Sequence, residues 1–165
     1  MSLSQYDTRE QAEKEGAVVA KIIFDNVTLE QVIQIISDYK SYTEFVEGTN
    51  KVEYKDTVEG TDGKCLDVWW NVTVGGLKTV EYTLRLCVFE DGLSWQETDH
   101  GPFKKNRGGW KLKPTTDGKG VEATYIALID FNVWCPGFIK DFLVGKGLTK
   151  TLEAFKKRLA EKFKN

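Results

Sequence analysis

Apolar and polar residues alternate along most of the middle of the chain. Between positions 66 and 74 every second residue is apolar, and the same period of two continues from 80 to 88 after the pair Gly75-Gly76. Such alternation is typical of strands with one buried face, and paired glycines favour hairpin turns. The pattern predicts one strand near the start and six antiparallel strands after position 50: 17–25, 51–58, 66–74, 80–88, 93–98, 104–113 and 121–132.

Two stretches follow the helical period instead. After the first strand, apolar residues predict an amphipathic helix over about 28–38, which Asn26 or Thr28 can cap, and the aromatic stretch 39–46 predicts a second short helix. At the end of the chain an apolar stripe predicts one long helix over 136–163, with Pro136 at its first position. The members of this stripe are Leu148, Leu152, Phe155, Leu159 and Phe163.

Two glycines interrupt this last helix. Gly145 and Gly147 each cost a helix about 1 kcal/mol relative to alanine, so their presence calls for a reason. Close approach to the sheet backbone, room for a ligand and a simple kink all fit the pattern.

The order of elements predicts an α+β helix-grip fold. A sheet with all its apolar residues on one face must cover that face, and only the last helix, about 42 Å long, can do so. We therefore expect a curved antiparallel sheet of about seven strands wrapped around the C-terminal helix, with a cavity between them. Residues 1–16 are interpreted as a polar leader and residues 17–165 as a single domain.

Composition and charge exclude several classes of protein. The chain has 165 residues, of which 41% are hydrophobic, and its 23 basic and 25 acidic residues give a net charge of −2. These values exclude collagen-like, coiled-coil and disordered chains, and they make nucleic acid an unlikely partner. Basic residues concentrate at 140–165, with eight against three acidic ones. They indicate either complementation of the helix dipole or a surface for an anionic membrane or RNA.

A second basic stretch lies in the sixth predicted strand. It consists of Lys104, Lys105, Arg107, Lys111 and Lys113. Its ordinary role is a solvated sheet face, and the alternative is that it joins the basic helix end in binding an anionic surface.

The cysteines and the single histidine suggest neither a metal site nor a cofactor. Cys65, Cys87 and Cys135 form no CxxC motif, and His100 has no neighbours typical of a catalytic triad or a zinc site. Residues 1–16 contain no apolar segment typical of a signal peptide, and no run of about 18 apolar residues occurs. We therefore expect a cytoplasmic protein with reduced thiols.

Aromatic residues provide the candidate ligand-binding site. The alternation places most of them on the inward face of the sheet, and one lies on the last helix. Core packing is the ordinary role of such rings, but in a fold with a cavity they also line an apolar pocket. The residues expected to contact a ligand are Trp70, Tyr82, Trp95, Trp110, Tyr125, Phe131 and Phe142.

Glu97 is the candidate for proton transfer. By the period of two it shares a face with Trp95, and a carboxylate inside the pocket is suited to general acid or base chemistry. The alternative is that the strand end bends outward, so that the carboxylate reaches water. Asn106, on the next strand, is a weaker polar candidate.

Four strings occur along the chain in a characteristic order. They are ISDYKSYTEFV at 36–46, GPFK at 101–104, GWKLKP at 109–114 and WCPGFI at 134–139. In order and spacing they resemble the START-like (SRPBCC, Bet v 1-like) superfamily of polyketide cyclase/dehydrase and lipid-transport proteins. Thr43 stands where that family commonly has a proline. The resemblance covers about 17–163 and implies the same helix-grip fold.

The resemblance implies binding of a small hydrophobic molecule, such as a lipid, quinone or polyketide-like compound, in the cavity. Apolar burial would supply the affinity, and Tyr82, Tyr125 or Glu97 would orient the ligand. One alternative is a cyclase or dehydratase in which Glu97 or a tyrosine exchanges protons. A second is a ribosome-association factor, which only the basic C-terminal stretch favours. An anionic membrane surface is a further expected partner, through the same basic helix.

Overall fold

Seven antiparallel strands form one sheet in the computed structural model, which describes residues 3–98, 101–131 and 137–164. The strands are β1 (Val18–Asp25), β2 (Thr49–Thr57), β3 (Cys65–Val74), β4 (Lys78–Phe89), β5 (Gly92–Glu97), β6 (Phe103–Pro114) and β7 (Gly120–Phe131). Their order across the sheet is β1-β7-β6-β5-β4-β3-β2. Consecutive strands from β2 to β7 are therefore neighbours, and β1 pairs with β7, as a meander with a returning first strand requires.

Within the described ranges, five α-helices accompany the sheet. They are α1 (Arg9–Lys14), α2 (Leu29–Ile36), α3 (Tyr42–Phe45), α4 (Gly137–Val144) and α5 (Lys146–Lys162). Of the two predicted caps for α2, the structure uses Thr28, whose Oγ1 accepts a hydrogen bond from the Gln31 backbone N–H at 3.1 Å. None of the described helices has the length and apolar character needed to cross a bilayer.

The face of α5 that carries the predicted apolar stripe packs on the inner face of the sheet. Leu148, Leu152 and Leu159 are all buried there. Phe155 joins three elements, because its ring centroid lies 5.2 Å from that of Tyr42, 5.1 Å from that of Phe45 and 5.3 Å from that of Trp110. The sheet thus grips the last helix, which confirms the predicted fold class.

The N-terminal segment packs against the outer face of the sheet. Thr8 Oγ1 donates to the carbonyl of Trp95 at 2.6 Å, and Arg9 Nη1 donates to the carbonyl of Trp110 at 2.9 Å. Arg9 is 4% exposed and forms ion pairs with Asp7 and Asp91 at 2.7 and 2.9 Å. The described part of the predicted polar leader, residues 3–16, therefore packs on the sheet.

The C-terminal helix is broken rather than continuous. The helix predicted over 136–163 is divided at Gly145 into α4 and α5, so a long C-terminal helix is present at Lys146–Lys162 but does not run unbroken over the predicted range. A Cβ at Gly145 would lie 2.9 Å from the Asp141 carbonyl oxygen, and one at Gly147 would lie 2.5 Å from Cε1 of Phe142. The two glycines leave room for Asp141 and Phe142 at this break, and the Phe142 ring lies beside Gly75 in the turn between β3 and β4.

Two of the cysteines are paired. Cys65 and Cys87 lie directly opposite each other on β3 and β4 and form a disulfide, with both side chains buried. The expectation of reduced thiols is therefore wrong for this pair, because a neighbouring-strand register brings together two residues that are distant in sequence. Disulfides are typical of oxidising compartments, so the pair does not favour the predicted cytoplasmic location. Cys135 lies outside the described residues.

Candidate functional site

A cavity of about 910 Å³ lies between the inner face of the sheet and the helices α3, α4 and α5. Its size is within the range of pockets that hold small organic ligands. Its walls are mainly apolar and come from six of the strands and the last two helices, with Val46, Val72, Leu84, Leu86, Leu93, Ile129, Leu143 and Leu148 among the aliphatic members. The sheet and the last helix do not meet along their whole length, which is why this space persists.

Six of the seven predicted aromatic residues line this cavity. They are Trp70, Tyr82, Trp95, Trp110, Tyr125 and Phe142. Phe131, the seventh, packs its ring on Phe103 at a centroid distance of 5.2 Å, and Phe103 lines the cavity in its place. The irregular register between Phe103 and Lys105 places Phe103 inward, and no feature of the alternation revealed this. That any of these residues binds a ligand stays a prediction.

The aromatic rings serve as core and as cavity wall at once. The Tyr125 ring lies 5.4 Å from that of Trp95 and 4.9 Å from that of Trp110, and Trp110 in turn contacts Phe155. Each ring packs one side on its neighbours and turns another side to the cavity. The two roles that the sequence left open are therefore combined.

The side chains of the sheet extend least into the cavity where β6 and β7 carry their smallest residues. Ala127, which lines the cavity, pairs in register with Gly108. Gly108 has φ +143, and a Cβ there would lie 1.9 Å from the Ile126 carbonyl oxygen. Ala127 therefore contributes only a methyl group to the wall, beside a strand partner that has no side chain.

The helix α4 and the hairpin between β3 and β4 bound one end of the cavity. Phe142 stands over Gly75, where an added Cβ would be 3.7 Å from its ring. Phe142 and Leu143 also pack on Val74 and Val80 in a small cluster separate from the main core. The apolar pattern did not predict this contact, because the contact depends on the break between α4 and α5.

The polar groups in the buried part of the cavity wall are uncharged, whereas the charged lining residues Glu47, Lys150 and Glu153 are exposed. Asn106 is 7% exposed, and within the described part of the chain neither its side-chain amide nor the hydroxyls of Tyr82 and Tyr125 have a hydrogen-bond partner. The Nε1 of Trp70 is buried without a partner as well. Tyr42 differs, since its hydroxyl donates to the carbonyl of Ile36. The inner wall therefore offers neutral donors and acceptors to a ligand.

Glu97 does not line the cavity. Its carboxylate accepts hydrogen bonds from Arg107 Nε at 2.8 Å and from the Asn106 backbone N–H at 3.2 Å, and it pairs with Arg107 Nη2 at 2.6 Å. Arg107 in turn lies 3.7 Å from Glu15 of the N-terminal segment. The carboxylate is therefore neutralised by a residue of the outer face, which agrees with the alternative of a strand end that turns outward.

The basic residues of the sixth strand are largely neutralised by acidic neighbours. Lys105 pairs with Glu15 at 2.6 Å and Lys111 with Glu13 at 2.9 Å, so the N-terminal segment covers them. On the last helix, Arg158 pairs with Glu44 and is only 13% exposed. This stretch is less available to an anionic surface than its sequence indicates.

Among the residues that the structure describes, no group of three or more His, Cys, Asp and Glu side chains is placed to hold a metal ion. His100, the one histidine, lies outside those residues, as do Trp134 and Pro136 of the string at 134–139. The chemistry of the described site is thus that of apolar walls with tyrosine and amide groups.

Burial raises the pKa of the tyrosines around the cavity. It raises the pKa of Tyr125 to about 12 and those of Tyr42 and Tyr82 further still, from the ordinary value of 10.0. Tyr82 and Tyr125 keep some exposed surface only because they face the cavity. All three are therefore neutral donors at physiological pH.

These shifts predict a loss of stability in alkali. A tyrosine whose pKa is raised in the folded protein keeps its proton at a pH where the unfolded chain has lost it. Its contribution to the free energy of unfolding is therefore complete below pH 10 and is lost as the pH rises through the folded pKa. In that pH range each such tyrosine lowers the free energy of unfolding by about 1.4 kcal/mol per pH unit. The free energy of unfolding, measured by urea titration from neutral to strongly alkaline pH, checks this. Tyr82→Phe is expected to flatten the fall, and an unchanged slope in that variant would contradict the assignment.

Comparison with known proteins agrees with this geometry. The family model described as polyketide cyclase / dehydrase and lipid transport matches residues 26–156. No curated protein sequence matches the chain.

Three solved structures illustrate the similarity of fold. A START superfamily protein from Mycobacterium smegmatis has a TM-score of 0.74 at 14% identity, over 89% of this chain and 99% of its own. The Zhui aromatase/cyclase from Streptomyces sp. R1128 has a TM-score of 0.73 at 15% identity, over 88% and 94%. Human StAR-related lipid transfer protein 5 has a TM-score of 0.70 at 12% identity, over 87% and 74%.

The family match extends over most of the chain, from α2 into α5, and the same residues build the gripped helix and the cavity wall. On that basis the chain belongs to the polyketide cyclase / dehydrase and lipid transport family.

Proposed function

We propose that this protein binds a small hydrophobic molecule in the cavity between the sheet and the last two helices. The observation that carries the proposal is an open space of about 910 Å³ whose walls are mainly aromatic and aliphatic side chains. Removal of apolar ligand surface from water contributes roughly 25 cal/mol per Å² buried, which supplies affinity without any charged contact. The family description and the human lipid transfer protein among the structural neighbours support the same class of ligand.

A neutral apolar dye tests this proposal directly. N-phenyl-1-naphthylamine fluoresces when it enters an apolar site, so a titration measures occupancy of the cavity. Ala127→Phe replaces a methyl group on the cavity wall with a ring that fills part of the cavity. The variant is expected to bind the dye at least about tenfold more weakly, which corresponds to about 1.4 kcal/mol. Native mass spectrometry of freshly purified protein provides a second measurement, since it detects a ligand carried from the cell.

Val19→Phe is the matched control for the filled cavity. Val19 is an exposed apolar residue of β1, and its neighbour in register is Ile126, next to Ala127. The same added ring there lies outside the cavity and is expected to leave dye affinity unchanged. If the wild type and Ala127→Phe bind the dye equally well, or if neither binds it, the proposal is wrong.

A cyclase or dehydratase is the second candidate, and the Zhui aromatase/cyclase among the structural neighbours favours it. In that case the cavity folds the substrate into a reactive conformation, and a tyrosine or Asn106 contacts its carbonyl groups. Glu97 is not suited to the proton transfer, because Arg107 holds it away from the cavity. The ion-paired positions of Arg158, Lys105 and Lys111 give no support to the ribosome-association alternative.

An anionic membrane surface remains a proposed partner of the last helix. Lys157, with 80% of its side chain exposed, can reach such a surface, whereas Arg158 is held by Glu44 and stacks over the Phe45 ring.

A further inference from the structure

We propose that the cavity selects uncharged ligands that carry a hydroxyl or carbonyl group, and that Asn106 is the residue that binds this group. The inference rests on the proposed function, because it concerns the chemistry of the molecule that the same cavity holds.

The charges on the cavity wall provide the first line of argument. Of the described residues that line it, Glu47, Lys150 and Glu153 carry a formal charge. All three are exposed, and Glu47 and Lys150 pair with each other at 3.6 Å, so they belong to its solvent-facing edge. An ionised headgroup drawn inside would find no opposite charge there, and burial of an unpaired ion is strongly unfavourable.

The neutral polar groups of the cavity wall provide the second line of argument. Asn106 is 7% exposed as a whole residue and borders the cavity, and no hydrogen bond joins its side-chain amide to another described residue. An amide at the wall of an apolar cavity gains a hydrogen bond when a ligand with a hydroxyl or carbonyl group fills the space. The Asn106 backbone N–H is held by Glu97, which fixes the residue on its strand while leaving the side chain for a ligand.

The Glu97–Arg107 pair explains why the site stays neutral. Asn106 precedes Arg107 in sequence and its backbone N–H donates to Glu97, but the two charged groups pair with each other and neither lines the cavity. The carboxamide both donates and accepts, so it suits a hydroxyl or a carbonyl equally. Tyr82, on the wall beside Phe103, offers a further donor to the same ligand group.

Three naphthalene compounds of nearly equal size test the inference: naphthalene, 2-naphthol and 2-naphthoate. The displacement of N-phenyl-1-naphthylamine from the wild-type protein by each compound is measured at neutral pH, where the naphthol is neutral and the naphthoate is ionised. We expect 2-naphthol to bind at least about 3-fold more tightly than naphthalene, through one net hydrogen bond. We expect 2-naphthoate to bind at least about 10-fold more weakly than 2-naphthol, because its charge is unpaired.

The variant Asn106→Leu tests whether Asn106 causes the preference for 2-naphthol over naphthalene. This variant keeps the size of the side chain and removes the amide, so it is expected to bind naphthalene as the wild type does and 2-naphthol no better than naphthalene. Tyr82→Phe is the comparison variant and is expected to keep most of the preference for 2-naphthol. If Asn106→Leu fails to fold, the wild-type order of the three compounds decides the ligand class.

The outcomes separate this inference from the proposed function. If naphthalene displaces the dye but 2-naphthoate binds as well as 2-naphthol, the cavity binds hydrophobic molecules and the selection of uncharged ligands is wrong. If Asn106→Leu retains the full preference for 2-naphthol, the role of Asn106 is wrong. If none of the three compounds displaces the dye, and the dye itself does not bind, the proposed function fails together with the inference.

Discussion

Gly108→Ala is expected to destabilise the protein by about 4 kcal/mol, at the upper end of single substitutions. A Cβ at this position would lie 1.9 Å from the Ile126 carbonyl oxygen and 2.7 Å from its carbon, so backbone rather than a mobile side chain must move. The φ of +143 is in addition a conformation that alanine rarely adopts. Because β6 and β7 meet here under the cavity, their pairing must loosen. Denaturant titration measures the loss.

Gly118→Ala is the control for this prediction. Gly118 also has a positive φ, of +71, but a Cβ there would meet nothing within 4 Å. The change is expected to cost about 1 kcal/mol, from backbone strain alone. Equal losses in the two variants would show that the crowding at Gly108 is not the cause.

Phe155→Ala is expected to cost about 3–5 kcal/mol, the range for removal of a buried phenylalanine. Its ring is 2% exposed and contacts Tyr42, Phe45 and Trp110, so its loss leaves a hole between α5, α3 and the sheet. The same ring forms part of the cavity wall, so the hole enlarges the cavity. The midpoint and slope of unfolding in guanidinium chloride provide the measurement.

Lys157→Ala on the same helix is the matched control for Phe155→Ala. Lys157 is 80% exposed in its side chain, and its removal is expected to change stability by no more than about 0.5 kcal/mol. A cost below about 1 kcal/mol for Phe155→Ala would place this ring outside the core and contradict the packing described here.

Most of the fold was predictable because local pattern and burial agree along it. The period-two alternation at 66–74 and 80–88 is found in β3 and β4, whose inward residues Val68, Trp70 and Leu84 are all buried. The capping residue Thr28 and the apolar stripe from Leu148 to Leu159 were equally visible, since each depends only on near neighbours in sequence.

The errors arose where the outcome depends on residues distant in sequence. Cys65 and Cys87 meet because β3 and β4 pair in one particular register, and the inward position of Phe103 depends on an irregularity between β6 and β7. The break at Gly145 was marked by glycine, but only the structure shows that the helix is divided there, with Phe142 close to Gly147.

By itself, the sequence determined the helix-grip fold, the inward aromatic face and the apolar character of the site, because these follow from periodicity and from the need to cover one face of a sheet. Only the tertiary structure decided that the space stays open, that Glu97 is held by Arg107 outside it, and that the Asn106 amide lies at its wall without a partner among the described residues. The physical reason is that a cavity and its hydrogen bonds depend on the distances between elements. Those distances are set by the packing of the whole chain rather than by any local segment.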